Sequence, residues 1–355
     1  MTVSPTPPPT PPPTSPTNPT RSIGVRLAGT GIGLPSKKMT NTDLEKLMDT
    51  SDEWILQRTG IRERRIVDHA AGECTMTMAT DALKAALGNA GLQGSDLDLV
   101  ICATMTPEML CPATACRVAQ NVGAGRNGHA GAFDLSAACS GFVFGMNLAH
   151  DLITGGAYKT IAVIGADTLS ALMDYTTAGR STAIIFGDAA GAAIYQADAD
   201  TRLGVLAQAM HADGGGWKDI YVPQEDRDFP VGTACDVGKI NKVQMNGATV
   251  FKFAVSTFPE LIEETLGKAG LVAADIDMFV CHQSNARILG AARERFGIAE
   301  EKLYINIDRY GNTVAASVPL CLHELMAAGR IRPGMKVMFV AFGGGLTWGS
   351  SLWQL

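Results

Sequence analysis

The strongest constraint on the fold is a repeat. Residues 86–102, ALGNAGLQGSDLDLVIC, return at 265–281 as TLGKAGLVAADIDMFVC, with eight of 17 aligned positions identical and an offset of 179. Further on, YKTIAVIGA (158–166) is echoed by MKVMFVAFG (335–343) at an offset of 177. Two matched pairs in the same order at nearly the same spacing imply two homologous halves. Their boundaries are set at 22–200 and 201–355.

Each half has one grammar. An amphipathic helix ends at a glycine, a short loop follows, and an apolar strand comes next (LDLVICA, IDMFVCH). Helices alternating with apolar strands bury their sheets on both faces, which makes this an α/β protein. Two such halves facing each other give a layered pseudo-twofold molecule, with a site expected at their junction. Residues 1–20 stand apart, because nine of the chain's 17 prolines fall there. That composition cannot bury a core and predicts a disordered, polyproline-like tail.

Several function classes are disfavoured. A net charge of −6 offers no broad basic face for nucleic acid. No apolar run reaches the roughly 20 residues that cross a bilayer, and no basic start with a short apolar core signals secretion. The eight cysteines include no CxxC pair of zinc-like spacing, so no structural metal is expected. Sparse reduced thiols fit a cytoplasmic protein.

Four segments can carry chemistry. Cys139, in FDLSAACSGF, follows a strand and small turn residues where a helix begins. The helix dipole there is expected to lower the thiol pKa and favour a nucleophilic thiolate; a buried structural cysteine is the bland alternative. His282, in CHQSNARI, directly follows a strand, and the repeat has Ala103 in its place. Asn312, in DRYGNT, is a turn asparagine that reads as structural or as a neutral amide donor for an enolate oxygen. The run Gly343–Gly345 in AFGGGLTWGS either forms a flexible turn or presents a backbone N–H as an oxyanion donor. GxGxxG is absent, which disfavours a dinucleotide loop.

Together with TSDEWILQRTGIRER (50–64) and FGDAAGAAIY (186–195), these segments resemble β-ketoacyl-acyl-carrier-protein synthase III of the thiolase-like superfamily, over about residues 22–355. The resemblance implies a five-layered αβαβα fold and a homodimer. It implies Cys139 as the acylated nucleophile, His282 and Asn312 as the pair serving the malonyl half-reaction, and the Cys139 and Gly344 N–H groups as the oxyanion hole. Trp54, Arg58, Arg180 and Gly247 are implied to bind coenzyme A, and Lys252, Arg287 and Arg295 to bind acyl carrier protein. Glu294 departs from the basic pattern of that patch. Cys111 stands where narrow-specificity relatives have an aromatic residue that closes the acyl pocket of the partner subunit.

The implied reaction is a decarboxylative condensation of an acyl-CoA primer with malonyl-carrier protein, initiating fatty-acid synthesis without a metal or redox cofactor. Three rivals differ in chemistry or context. A thiolase needs a second cysteine at the C-terminal glycine run, where Phe342 stands. A non-catalytic carrier-binding scaffold would have no use for Cys139, His282 and Asn312 together. A synthase III-like enzyme of a secondary-metabolite pathway would share every motif.

Overall fold

The computed structural model describes residues 22–355 apart from residue 234, so the Pro/Thr-rich segment 1–20 lies outside the described residues. Two sheets form its frame. The first contains β1 (Gly24–Gly33), β2 (Leu99–Ala103), β3 (Gly131–Leu135), β4 (Thr160–Asp167) and β5 (Ala189–Asp198), in the order β1-β5-β4-β2-β3. The second contains β6 (Gly204–Ala212), β7 (Met278–Cys281), β8 (Lys336–Gly343) and β9 (Thr347–Gln354), in the order β6-β9-β8-β7. Strand β2 runs parallel to β3 and β4, β7 runs parallel to β8, and the remaining neighbours are antiparallel. The second sheet thus repeats the first strand for strand, except that β3 has no counterpart among the described residues.

The repeated residues do the same work twice. Gly91 and Gly270 each end a helix in the left-handed conformation, at φ 67° in both cases. Asp96 accepts the Gln93 N–H at 2.8 Å, and Asp275 accepts the Val272 N–H at 2.9 Å. Asp98 and Asp277 each accept an N–H at the start of the neighbouring strand, from Lys159 just before β4 and from Lys336 of β8, both at 2.7 Å. Sequence identity in the repeat therefore marks the caps and turn locks that fix each helix–strand unit.

The helices that matter here are α1 (Asp52–Thr59), α2 (Thr75–Ala90), α3 (Gly141–Thr154), α4 (Gly247–Ala269), α5 (Ala286–Phe296) and α6 (Ser317–Ala327). Side-chain alternation along the strands assigns them to layers. In β8, Val337, Phe339 and Ala341 face the central core with α3 and α6, while Met338, Val340 and Phe342 face α4 and α5. In β4, Ile161 and Val163 face the same central core, while Ala162 and Ile164 face α2. Two sheets with helices between and outside them make the five-layered αβαβα, thiolase-like arrangement. Helix α3 lies between the sheets and is apolar on most of its surface, as a sandwiched helix must be.

Candidate functional site

The carboxyl ends of the parallel strands converge from both halves, which is where α/β sheets place ligands. After β3 the chain turns through 136–138 to Cys139. His282 directly follows β7, and its N–H still donates to the Val340 carbonyl at 2.8 Å. Strand β8 ends at Gly343, against Cys139. A Cβ on Gly343 would sit 2.7 Å from the Cys139 nitrogen and 3.1 Å from Sγ, so only glycine lets the halves meet this closely. Ser140 Oγ donates to the Thr347 carbonyl at 3.0 Å, and Thr347 Oγ1 donates to the Ala137 carbonyl at 3.0 Å, which locks the two turns together.

Backbone strain gathers at the same place. Five non-glycine residues among those described have positive φ, and three of them flank this junction: Ala138 (47°), Val314 (52°) and Leu346 (44°). They stand one residue before Cys139, two after Asn312 and two after Gly344. A left-handed conformation in such residues costs on the order of 1–3 kcal/mol and persists only where the surroundings dictate it.

The Cys139 thiol is 7% exposed and lies in the tight turn just before α3. Burial pushes its pKa up to about 12, and the nearby Asp167 carboxylate pushes the same way. The N–H groups of Cys139 and Gly344 favour the anion but do not offset burial. The expectation that the helix dipole lowers the thiol pKa is therefore corrected: desolvation outweighs it. Both N–H groups lie beside the sulfur, placed to donate to an anion formed there.

His282 is 1% exposed, and burial lowers its pKa to about 3, so the imidazole is neutral. Its Nδ1 lies 2.6 Å from Ser317 Oγ, and its ring meets Phe342 edge-to-face at 5.7 Å. Asn312 is pinned to the 185–187 segment: its N–H donates to the Ile185 carbonyl at 2.9 Å, and its carbonyl accepts the Gly187 N–H at 3.0 Å. Asn312 Oδ1 accepts the Val314 N–H at 2.9 Å, which leaves its Nδ2 hydrogens as the side chain's donors. Cys139, His282, Asn312, Gly343, Gly344 and Phe342 line one narrow cavity of about 100 Å³. On the other side of Cys139 opens a second cavity of about 790 Å³, lined by apolar residues that include Met105, Leu169, Leu172, Phe186 and Val243. The thiol stands where the two meet.

The outer groups fall into three sets. The Trp54 ring has the Arg58 guanidinium at 4.5 Å from its centroid and that of Arg180 at 4.7 Å, a cation–π clamp suited to a flat, phosphorylated ligand. It abuts the narrow cavity's rim, where Asn285 Nδ2 donates to the Arg58 carbonyl at 3.0 Å. Gly247, at the start of α4, lines that cavity. Arg287 lies over Phe251, next to the exposed Lys252, whereas Arg295 is paired with Glu263 at 2.9 Å. Cys111 is exposed and lines neither cavity of its own chain; the preceding Met109 and Leu110 line the larger one.

Sequence reading missed two buried groups that hold the site. Asp167, at the end of β4, accepts the Met105 N–H at 2.7 Å and the Ala315 N–H at 3.2 Å, so it ties the large cavity's wall to the Asn312 turn. Ser317 backs His282. Both contacts span long sequence separations, and only the hydroxyl five residues after Asn312 left a local signal. Among the described residues no helix is long and apolar enough to cross a membrane, and no group of three or more His, Cys, Asp or Glu is placed to hold a metal.

Residues 133–214 match the family described as 3-oxoacyl-[acyl-carrier-protein (ACP)] synthase III, and residues 266–355 match its C-terminal region. A protein of Caldanaerobacter subterraneus subsp. tengcongensis named beta-ketoacyl-[acyl-carrier-protein] synthase III is 44% identical over 330 residues, covering 93% of this chain and 97% of its own. The crystal structure of 3-oxoacyl-[acyl-carrier-protein] synthase III from Aquifex aeolicus matches with a TM-score of 0.85 at 40% identity, over 94% of this chain and 100% of that one. The priming β-ketosynthase of the R1128 polyketide biosynthetic pathway also has a TM-score of 0.85, at 31% identity, over 96% of this chain and 98% of that one. On sequence, fold and the convergence of Cys139, His282, Asn312 and the glycine turn, the chain belongs to the β-ketoacyl-acyl-carrier-protein synthase III family of acyltransferase condensing enzymes.

Proposed function

We propose that this enzyme condenses an acyl-CoA primer with malonyl-acyl-carrier protein, releasing CO₂ and giving the 3-ketoacyl-carrier protein that initiates fatty-acid synthesis. The observation that carries this reading is the Cys139 thiol at the meeting of a long apolar cavity and a narrow one lined by His282 and Asn312. Cys139 attacks the acyl-CoA carbonyl, the oxyanion rests on the Cys139 and Gly344 N–H groups, and coenzyme A leaves carrying the thiol proton. The malonyl group then loses CO₂, and the electron pair of the broken C–C bond becomes an enolate held by His282 and Asn312. The enolate carbon attacks the acyl-Cys139 thioester, forming the new C–C bond and releasing the thiolate. Electrons balance without a redox partner, in keeping with a cofactor-free reaction.

Trp54, Arg58 and Arg180 serve the coenzyme A nucleotide in this scheme, with Gly247 on the path to the thiol. Lys252, Arg287 and Arg295 face the acidic carrier protein, although the Glu263 pairing of Arg295 leaves less charge there for a partner. A homodimer suits the edge strand β3, which exposes Phe133, and the exposed apolar Met105, Met109 and Leu110. A cytoplasmic location suits a chemistry that needs a free thiol. Fatty-acid initiation is favoured over a secondary-metabolite role because relatives at 44% and 41% identity are named beta-ketoacyl-[acyl-carrier-protein] synthase III.

Position 111 controls the primer in this reading, because in the enzymes the chain resembles the partner subunit supplies this residue to the end of the acyl pocket. Cysteine leaves room that an aromatic ring would fill, so medium-chain primers are accepted. A panel of acyl-CoA primers against malonyl-carrier protein and malonyl-CoA tests function and primer range together. Each buried methylene contributes about 0.8 kcal/mol, a factor of about four in rate or affinity. Cys111→Phe should therefore cut octanoyl-CoA use by on the order of tenfold and leave acetyl-CoA use unchanged. A wild-type enzyme confined to acetyl-CoA, with the same profile in Cys111→Phe, would remove position 111 as the gate.

A further inference from the structure

We propose that Ser317 is a positioning residue that holds His282 in the tautomer with its proton on Nε2. The inference rests on the role given to His282 above and names what makes that role possible. A neutral imidazole carries one N–H, and the group bound to one ring nitrogen decides where that proton sits. An enolate oxygen needs a donor at the nitrogen facing the cavity; a lone pair there would repel it.

The geometry puts that choice on one hydroxyl. His282 and Ser317 are each 1% exposed, so no solvent competes for their hydrogen bonds. Ser317 Oγ has a single proton and two acceptors within reach, His282 Nδ1 at 2.6 Å and the Val314 carbonyl at 3.1 Å. The Gln283 N–H approaches the same oxygen at 3.4 Å, occupying a lone pair and leaving the hydroxyl proton for one of the two acceptors. Donation to Nδ1, the shorter contact, fixes the proton on Nε2. Rotation towards Val314 would instead draw an Nδ1–H into Ser317 Oγ and turn a lone pair to the substrate. The Val314 carbonyl belongs to the strained left-handed residue of the Asn312 turn. Asn312 Oδ1 accepts the Val314 N–H. The same short turn therefore orients the amide donor through an N–H and offers the serine its competing acceptor through a carbonyl.

The experiment uses the full-length enzyme. In wild type, ¹⁵N NMR of histidine-labelled protein, with the His282 signal assigned by its loss in His282→Ala, should show Nε2 protonated and Nδ1 bare. Ser317→Ala should shift the ring towards the other tautomer or a mixture. It should also slow malonyl decarboxylation by about 10- to 100-fold, the scale seen when a metal-bound imidazole loses the partner that orients it. Acylation of Cys139 by acyl-CoA should stay within about twofold, since Ser317 does not touch the thiol side. Ser317→Cys fills the same space but donates weakly, so it should lose decarboxylation as well. A wild-type imidazole protonated on Nδ1 overturns the inference, and that measurement needs no variant to fold. So does a Ser317→Cys enzyme that decarboxylates at the wild-type rate, which would reduce the serine to a packing role. If His282→Ala itself decarboxylates normally, the functional reading fails instead, and the two failures are distinguished.

Discussion

Gly343→Ala should lose acylation of Cys139 by at least about 100-fold, the scale of removing an oxyanion contact. The added Cβ would lie 2.7 Å from the Cys139 nitrogen, 2.8 Å from its Cβ and 3.1 Å from Sγ. Two of those three contacts are with the nucleophile's own side chain, and the third is with the backbone N–H assigned to the oxyanion. The Cys139 turn cannot retreat cheaply, because the Ser140–Thr347 and Thr347–Ala137 hydrogen bonds fasten it to the same glycine segment. Relief must come from moving β8 against the Cys139 turn, which opens the spacing between the N–H groups. Overpacking of this kind also costs about 1–3 kcal/mol of stability, visible as a lower denaturant midpoint. Intact mass after brief incubation with acyl-CoA measures the chemistry directly. A Gly343→Ala protein that acylates at the wild-type rate would show that the close approach of the two halves is incidental.

Asn312→Ala should separate the two half-reactions. The Asn312 amide sits with His282 in the narrow cavity, and its orientation is fixed by the Val314 N–H. Removing a preorganised donor to an oxyanion typically costs 10²–10³ in rate, so malonyl decarboxylation should fall by about that factor. Acylation should change only a few-fold, because in the proposed mechanism the oxyanion of that step rests on the backbone N–H groups of Cys139 and Gly344. Equal loss of both steps, as severe as in Cys139→Ala, would contradict the division of labour.

Much of this fold is legible in the sequence because the repeat preserves local instructions. Gly91 and Gly270 end their helices, and Asp98 and Asp277 lock the next strand, through contacts within or beside the repeated segment. Such signals survive duplication because each unit needs them independently. The absence of a β3 counterpart was not legible, since a missing strand leaves no residue to read. Cys139, His282, Asn312 and Gly344 stood out through strand ends and turn residues, and their family resemblance supplied roles. The electrostatics were misread for a physical reason: position beside a helix start is a local property, whereas Cys139 is buried among residues distant in sequence, such as Leu44, Phe186 and Val314. Asp167 was invisible for the same reason, since its Met105 and Ala315 partners arrive from distant turns, and Ser317 left only its hydroxyl close after Asn312 as a signal.

The most direct test of the central claim follows the acyl group through both steps on one sample. Wild-type enzyme incubated with acyl-CoA should gain the mass of one acyl group per chain, mapped by peptide analysis to Cys139 among the eight cysteines. Addition of malonyl-carrier protein should then discharge that group, with one CO₂ released and one 3-ketoacyl-carrier protein formed per acyl lost. Acylation at another residue, no acylation at all, or discharge of the acyl group without CO₂ release would contradict the account.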